Sequence, residues 1–380
     1  MYDDMSRTGP AGPYPARGPG SEGNGGRTLA LLLVAILGFT AFLGYNGGLT
    51  HWPLRADSVT ATLLGPPLPP LDAEHVSNTV EPALVNITAA VRPYGLSAAG
   101  SGIVLTAQGQ VLTSHHVIKG ADRVTVADVG TGAVYPAVVL GYDSGADIAL
   151  IELFGAAGLP VARLGSSSTL RIGDELLAIG NAGGTGSPTA VGGAVTGLDS
   201  AIVARNSADL SRKSLHGLIE VSAAVSAGQS GGALVDRYGA VVGVVTAASG
   251  EIQKALGQGP NGYAVPIDAA MAIVRQIRSG TPTDTVHIGP TATLGIITSD
   301  ARRTPGAQIE VAVYGMPAYA AGLTEGEVIT AIDGQPVDTT GALKAALNLR
   351  KPEDTVRLDI SAPGGGTRTV IVKLAVGPPN

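Results

Sequence analysis

Between Asn78 and Ser249 the chain is a succession of short apolar runs, among them ALVNI, GIVLT, QVLTS, RVTVA, AVVLGY, IALIEL, ELLAIG, GLIEV and AVVGVVTA. Each run is broken after a few residues by Gly, Asn, Asp or Ser. Runs of this length suit strands, and the helical segments that a parallel sheet needs between its strands are missing. The pattern predicts an all-β barrel or sandwich. A helix is expected only at the end of the region, where Asp268 is placed to cap AAMAIVRQIR and Gly280 to stop it.

Strands of this kind need cores, and 44% of the 380 residues are hydrophobic against 14% charged, enough for more than one. The net charge of -6 is spread without long runs of one sign, which argues against a nucleic-acid surface, and no nucleic-acid partner is expected. With no cysteine in the chain, thiol nucleophiles, disulfides and thiolate metal sites are excluded.

Three stretches of the β region carry groups able to do chemistry: TSHHVIKG at 113 to 120, GYDSGADIALIEL at 141 to 153 and AAVSAGQSGGALVD at 223 to 236. Each alone has an ordinary reading. A His at a strand end is a satisfied surface or core residue, an Asp before an apolar strand is a turn residue, and a Gly-rich stretch is a hairpin turn. Together they supply a base, an orienting carboxylate and a hydroxyl nucleophile in the order His, Asp, Ser, one of the orders in which such triads occur. The glycines around Ser230 fit that reading. A serine hydroxyl must project from a tight turn toward its base, and the oxyanion of acyl transfer needs converging backbone N–H groups. Gly228 can adopt angles closed to larger residues, so the amides of Gly228 and Ser230 can face the same way. Adjacent His115 and His116 do not suggest a metal, because neighbours on a strand point to opposite faces and no carboxylate stands at ligand spacing. No metal or cofactor is expected.

Residues 78 to 376 resemble the HtrA (Deg) family of trypsin-like serine proteases with a C-terminal PDZ domain, in its actinobacterial membrane-anchored form. The stretches that carry the resemblance are GSGIVLTAQGQVLTSHHVI, GYDSGADIAL, IGDELLAIGNAGG, GQSGGALVD, GAVVGVVTA and NGYAVPID. It implies a mainly β chain: a two-barrel chymotrypsin-like protease domain over 78 to 280, a linker over 281 to 291 and an α+β PDZ domain over 292 to 376. The family pattern T-x-x-H-V selects His116 over His115, D-[IL]-A selects Asp147 over Asp143, and GxSGG selects Ser230. It implies an oxyanion loop of Gly228, Gln229 and Ser230. It also implies an apolar primary pocket lined by Ala224, Val225, Thr246, Ala247 and Ala248, and hence cleavage after small or medium aliphatic residues. The sequence departs from the pattern at Gln229, where Asn or Asp is usual, at Ser222, where Asp is usual, and at Asn181-Ala182 in place of Asn-Pro. None of these removes a triad member. By the same resemblance the polar stretches 183 to 190 and 205 to 215 read as movable loops, and assembly as a homotrimer is open.

The last module shows the strands TVRLDI and TRTVIVKL around the turn APGGG, and short helices at PAYAAGL and DTTGALKAALN. A generic accessory domain is one reading. The run GLTEGEVITAIDGQPV resembles a PDZ domain, which makes Leu294, Gly295 and Ile296 a carboxylate-binding loop for a peptide C-terminus that adds as a strand. Leu343 and Leu347, four apart on the helix, line that groove or belong to the core; spacing alone allows both.

Residues 1 to 27 are Gly/Pro-rich and read as disordered. Then TLALLLVAILGFTAFLGY, residues 28 to 45, carries no charge and has the length of a short transmembrane helix. A cleaved signal peptide competes with this, since Val59 and Ala61 form a small-x-small site, but that site lies well beyond the run. The reading adopted is a single-pass signal anchor, with Arg27 on the inner side, a Pro-rich linker over 46 to 77 and everything after it extracytoplasmic. Two functions follow. One is an ATP-independent envelope endopeptidase acting on misfolded or C-terminally exposed polypeptides. The other is a non-catalytic peptide-binding or chaperone protein on the same scaffold.

Overall fold

The computed structural model describes residues 69–91, 96–205, 212–248 and 261–379. The expected disordered segment, the anchor at 28–45 and most of the Pro-rich linker lie outside these residues. Among the described residues no helix is long and apolar enough to cross a membrane.

The β texture becomes two barrels. Strands β1 (Leu84–Val91), β2 (Leu96–Val104), β3 (Gln110–Thr113), β4 (Arg123–Asp128), β5 (Val134–Asp143) and β6 (Ile148–Leu153) run in the order β5-β4-β1-β2-β3-β6, and a β5–β6 pairing closes the ring. The second barrel is β7 (Glu175–Gly180), β8 (Thr189–Arg205), β9 (Arg212–Val221), β10 (Ala233–Val235), β11 (Val241–Ala248) and β12 (Gly262–Pro266), closed as β10-β11-β12-β9-β8-β7. All the pairings are antiparallel, as the short connections require.

Several strands are apolar on both faces, and the reason is visible in the packing. In β3 and β6 Val111, Ala149 and Ile151 fill the first barrel, while Leu112, Ile148 and Leu150 face a second core. In β7 Leu176 and Ala178 fill the second barrel, while Leu177 and Ile179 meet that same second core. The shared core therefore glues barrel to barrel, and it makes the seam between them a rigid place to mount a site.

Helix α1 (Ala73–Val80) spans the expected linker boundary at 77/78. Asp72 caps it by accepting the His75 N–H at 3.0 Å, and Val76 and Val80 join the shared core. Helix α2 (His115–Ile118) follows β3. Helix α3 (Ile267–Arg278) begins directly after Pro266, so Asp268 lies inside its first turn rather than at the cap. The Asp268 carboxylate instead accepts the Ser166 and Ser167 hydroxyls and the Ser168 N–H, each within 3.0 Å. Residues 212 to 215, read from sequence as loop, belong to β9, where Lys213 pairs with Ala204 and Ser214 with Val203 of β8.

The segment 281 to 291 is not a free spacer. Strand β13 (Val286–Ile288) adds to the first barrel beside β5, with His287 opposite Tyr142. The last module follows. Strand β14 (Thr291–Thr293) later pairs with β21, and β15 (Ile296–Asp300), β16 (Ala307–Ala312), β17 (Val328–Ile332), β19 (Thr355–Ser361) and β20 (Thr367–Lys373) form a sheet in that order. Strand β18 (Gln335–Pro336) pairs with β17, and β21 (Ala375–Gly377) closes the chain onto β14. Helices α4 (Pro317–Ala320) and α5 (Thr340–Asn348, capped by Thr339) complete the module around its own core.

Candidate active site

His116, Asp147 and Ser230 stand at the seam of the two barrels, each at the end of a strand packed on the shared core. His116 lies in α2 just after β3, and Asp147 just before β6 at φ 61°, a left-handed angle that a non-glycine residue holds only when its surroundings impose it. Those surroundings are specific. The His116 ring Nδ1 meets Asp147 Oδ2 at 2.8 Å, the His116 N–H donates to Oδ1 at 3.0 Å, and the His115 N–H donates to the Asp147 carbonyl at 3.1 Å. From the second barrel Thr246 donates its hydroxyl to Oδ2. A β-bulge in β11 between Val245 and Ala247 sets Thr246 out of register there.

Burial shapes the charges. Asp147 is 2% exposed, and burial alone would raise its pKa; the charge and hydrogen bond of His116, helped by Lys213 and Thr246, hold the carboxyl well below the usual range instead. For His116 burial pulls downward, but the Asp147 carboxylate outweighs it, so the ring titrates above its ordinary value. Neighbouring His115 is 3% exposed, its Nε2 has no hydrogen-bond partner, and burial pushes its pKa down to about 3. Its ring stacks on Tyr142 at 4.6 Å, and Tyr142 in turn stacks on His287 at 5.0 Å.

Ser230 is held by its backbone. Its carbonyl accepts the Ser101 N–H at 2.8 Å, while its hydroxyl donates to the Thr246 carbonyl at 3.4 Å and not to the His116 ring. Gly228 has φ +93°, and a Cβ there would lie 2.1 Å from the Asn181 carbonyl oxygen; at Gly231 a Cβ would lie 2.2 Å from the Ser101 carbonyl oxygen. No larger residue fits either position. Among the described residues the N–H groups of Gly228 and Ser230 have no internal acceptor. Gln229 differs from the expectation. Its N–H donates to the Ser226 carbonyl at 3.2 Å, so its amide is unavailable as an oxyanion donor. Its buried side chain instead staples the loop, with Oε1 accepting the Ser226 N–H at 2.8 Å and Nε2 donating to the Thr189 carbonyl at 3.1 Å.

Residues 100–244, which contain all three groups, match the trypsin-like peptidase domain, and residues 286–361 match the PDZ domain. Over 370 residues the chain is 32% identical to the serine protease PepD of Mycobacterium tuberculosis, covering 92% of this chain and 76% of that protein. The chain belongs to the HtrA family of trypsin-like serine proteases. It is also 32% identical over 271 residues to a probable periplasmic DegP-like serine endoprotease of Chlamydia muridarum, across 70% of this chain and only about half, 52%, of that protein. Among solved structures, an HtrA-type protease AlgW with tripeptide aligns over 81% of this chain and 98% of that one, at 25% identity and a TM-score of 0.46.

In this HtrA protease the residues expected to line the primary pocket divide. Ala224 is exposed, and Val225 is half-buried over Gly262, where a Cβ would come within 2.4 Å of its Cγ2. Thr246 is not a pocket wall: it is buried, its hydroxyl serves Asp147 and its carbonyl receives Ser230. Of Ala247 and Ala248 only the backbone is described, at the end of β11. In the PDZ module Leu294 and Leu343 are core residues, 1% and 3% exposed, so neither lines an open groove; Leu347 is half-buried against the same core. The Gly295 N–H is already taken by Thr293 Oγ1 at 3.0 Å, and Ile296 opens the edge strand β15.

Two supports escaped the sequence. Ser101 receives the Asn181 N–H on its hydroxyl, donates that hydroxyl to the Gly228 carbonyl and its N–H to Ser230, with all three bonds at 2.8 Å. Its only signal is a position between two glycines in GSGI. Lys213 reaches Asp147 from β9 at 3.9 Å, with no motif around it.

Proposed function

We propose that this protease is an ATP-independent endopeptidase of the cell envelope in which Ser230 is the nucleophile, His116 the general base and acid, and Asp147 the group that fixes the histidine tautomer. The observation that carries this is the 2.8 Å bond from His116 Nδ1 to Asp147 Oδ2, made beside a serine loop with two unused amides. With Nδ1 carrying its proton toward Asp147, Nε2 is free to accept one.

The reaction begins with a rotation of the Ser230 side chain off the Thr246 carbonyl toward His116 Nε2. Oγ then attacks the scissile carbonyl carbon as its proton passes to Nε2. The displaced electron pair settles on the carbonyl oxygen, facing the N–H groups of Gly228 and Ser230. Collapse breaks the C–N bond, the amine leaves with the proton from Nε2, and an acyl-enzyme remains on Ser230. Water repeats the sequence with the same base, releasing the acid and restoring the hydroxyl.

Ala224 and Val225 offer no charge, which supports cleavage after small or medium aliphatic residues. Preference for Lys or Arg in a peptide library would overturn that assignment. In the PDZ module, edge strand β15 has a free side next to α5, which suits a substrate C-terminus added as a strand. The uncharged run at 28 to 45 and a relative named as periplasmic support an anchored enzyme with both modules outside the cytoplasm. Labelling of the modules by an impermeant reagent on intact spheroplasts tests this. Light scattering tests the homotrimer that the family suggests.

The deciding experiment compares the full chain with Ser230→Ala on casein and with a fluorophosphonate. Cleavage and labelling by wild type alone support the triad. Labelling without cleavage is expected if the nucleophile already works and the enzyme awaits its activator or true substrate. Inertness of both proteins, with peptide binding retained, would hand the molecule to the scaffold reading.

A further inference from the structure

Lys213 brings a positive charge from the second barrel to the carboxylate of the first. Its stem is partly exposed, yet its Nζ is shut off from solvent, has no hydrogen-bond partner among the described residues and lies 3.9 Å from Asp147 Oδ1. An ammonium stripped of water without a hydrogen bond is costly, and a facing carboxylate is the group that offsets the cost. The register of β9 against β8, with Lys213 opposite Ala204, sends the side chain there. We propose that Lys213 is a positioning residue of the triad: it occupies the open side of Asp147 Oδ1, keeps the carboxylate aimed at His116, and sets how readily the imidazole gains a proton. The proposal rests on the triad assignment given above.

The charges around the site make the direction of the effect definite. Asp147 is negative and Lys213 positive, so the pair is neutral while His116 is neutral and carries a net positive charge once the imidazole is protonated. Lys213 therefore opposes the imidazolium that Asp147 favours. The remaining groups that act on this corner are Asp143, which favours the charged lysine, Lys119, which opposes it, Lys344, which acts against a proton on His115, and the buried neutral ring of His115 itself. Burial itself pulls the Lys213 ammonium below its ordinary value, and the two aspartates hold it up. The consequence is a wider working range on the acid side than an Asp–His pair alone gives, because His116 stays unprotonated, and so able to act as base, to lower pH.

The test follows the rate of fluorophosphonate labelling of the full chain against pH for wild type, Lys213→Met and Lys213→Arg. For Lys213→Met the half-point of the acid limb is expected to move up by about one pH unit, the size of effect one charge exerts a few ångströms away in a partly screened site. The plateau should fall by less than about ten-fold, since the bonds between His116 and Asp147 remain. Lys213→Arg should restore the half-point. A fallen plateau with an unmoved half-point would make the lysine merely structural and overturn the proposal, as would a half-point that Arg does not restore. If Lys213→Met does not fold, Lys213→Gln carries the same test. If wild type is not labelled at all, the triad assignment fails separately; titration of the His116 ring by NMR in wild type and Lys213→Gln still decides whether the lysine lowers its pKa.

Discussion

His116 and Asp147, both from the first barrel, are tied by two hydrogen bonds, whereas Ser230, from the second, turns its hydroxyl to Thr246. The difference lies in how each residue is held. Asp147 is gripped by the backbone of α2 and by Thr246, so its angle is imposed and the imidazole has one orientation. Ser230 is fixed through its carbonyl, which accepts the Ser101 N–H, and its hydroxyl makes a long bond to the Thr246 carbonyl. The His116–Asp147 half is thus built into the fold, while the Ser230 hydroxyl is bonded elsewhere.

The largest effect should come from breaking the first half. Asp147→Asn keeps the shape but favours the wrong tautomer, and kcat is expected to fall about 10⁴-fold; thermal stability should fall as well, because the buried Lys213 ammonium loses the carboxylate that faces it. A loss under ten-fold would show that the pair is not the engine of the reaction. On the second half, Gly228→Ala forces a methyl onto the Asn181 carbonyl, turning one oxyanion donor away. A loss of about 10²–10³ in kcat with KM nearly unchanged is expected. Gln229→Leu removes the loop staple without touching a donor, and a fall of about ten-fold in kcat, partly recovered by a bound substrate-like peptide, would show how far the serine side depends on ordering.

The smallest effect concerns stability. The His115 ring, with an ordinary pKa of 6.5, is pushed to about 3 in the folded protein. Its neutral form is the folded one, so this contribution is complete above pH 6.5 and is lost as the pH falls toward 3. Between pH 7 and pH 5 wild type should therefore lose about 1–2 kcal/mol more than His115→Phe, read from urea midpoints. Equal losses would show that the first barrel does not store this strain beside its triad.

His116, Asp147 and Ser230 were singled out with the help of the family resemblance, which chose His116 over His115 and Asp147 over Asp143; the three stretches alone offered a base, a carboxylate and a hydroxyl in order. The short apolar runs foretold an all-β barrel or sandwich, and the division into two barrels came from the resemblance. What could not be read is set by pairing between distant strands. Lys213 lies in a polar stretch that reads as loop until β8 and β9 are paired, and only that register aims it at Asp147. Thr246 was found by position, but the bulge that turns it from pocket wall to Asp147 partner leaves no mark in TAA. Gln229 looked like a bearer of an amide; its length, which lets it reach Thr189, is what the site uses. Val286–Ile288 is too short and too near a proline to announce itself as a strand.

That strand changes what the end of the protease half means. β13 covers the edge of β5 from Gly141 to Asp143, and His287 covers the fully buried ring of Tyr142 while its Nδ1 meets the Asn348 carbonyl of the PDZ module at 3.2 Å. On the other side of α2 the Gly120 N–H donates to the Pro379 carbonyl at 2.7 Å. A fragment ended at Gly280 would bare an unpaired strand edge and an aromatic face a few residues from Asp147, the kind of surface on which chains stack. The protease half thus ends at Ile288, inside what reads as the linker, and not at Gly280.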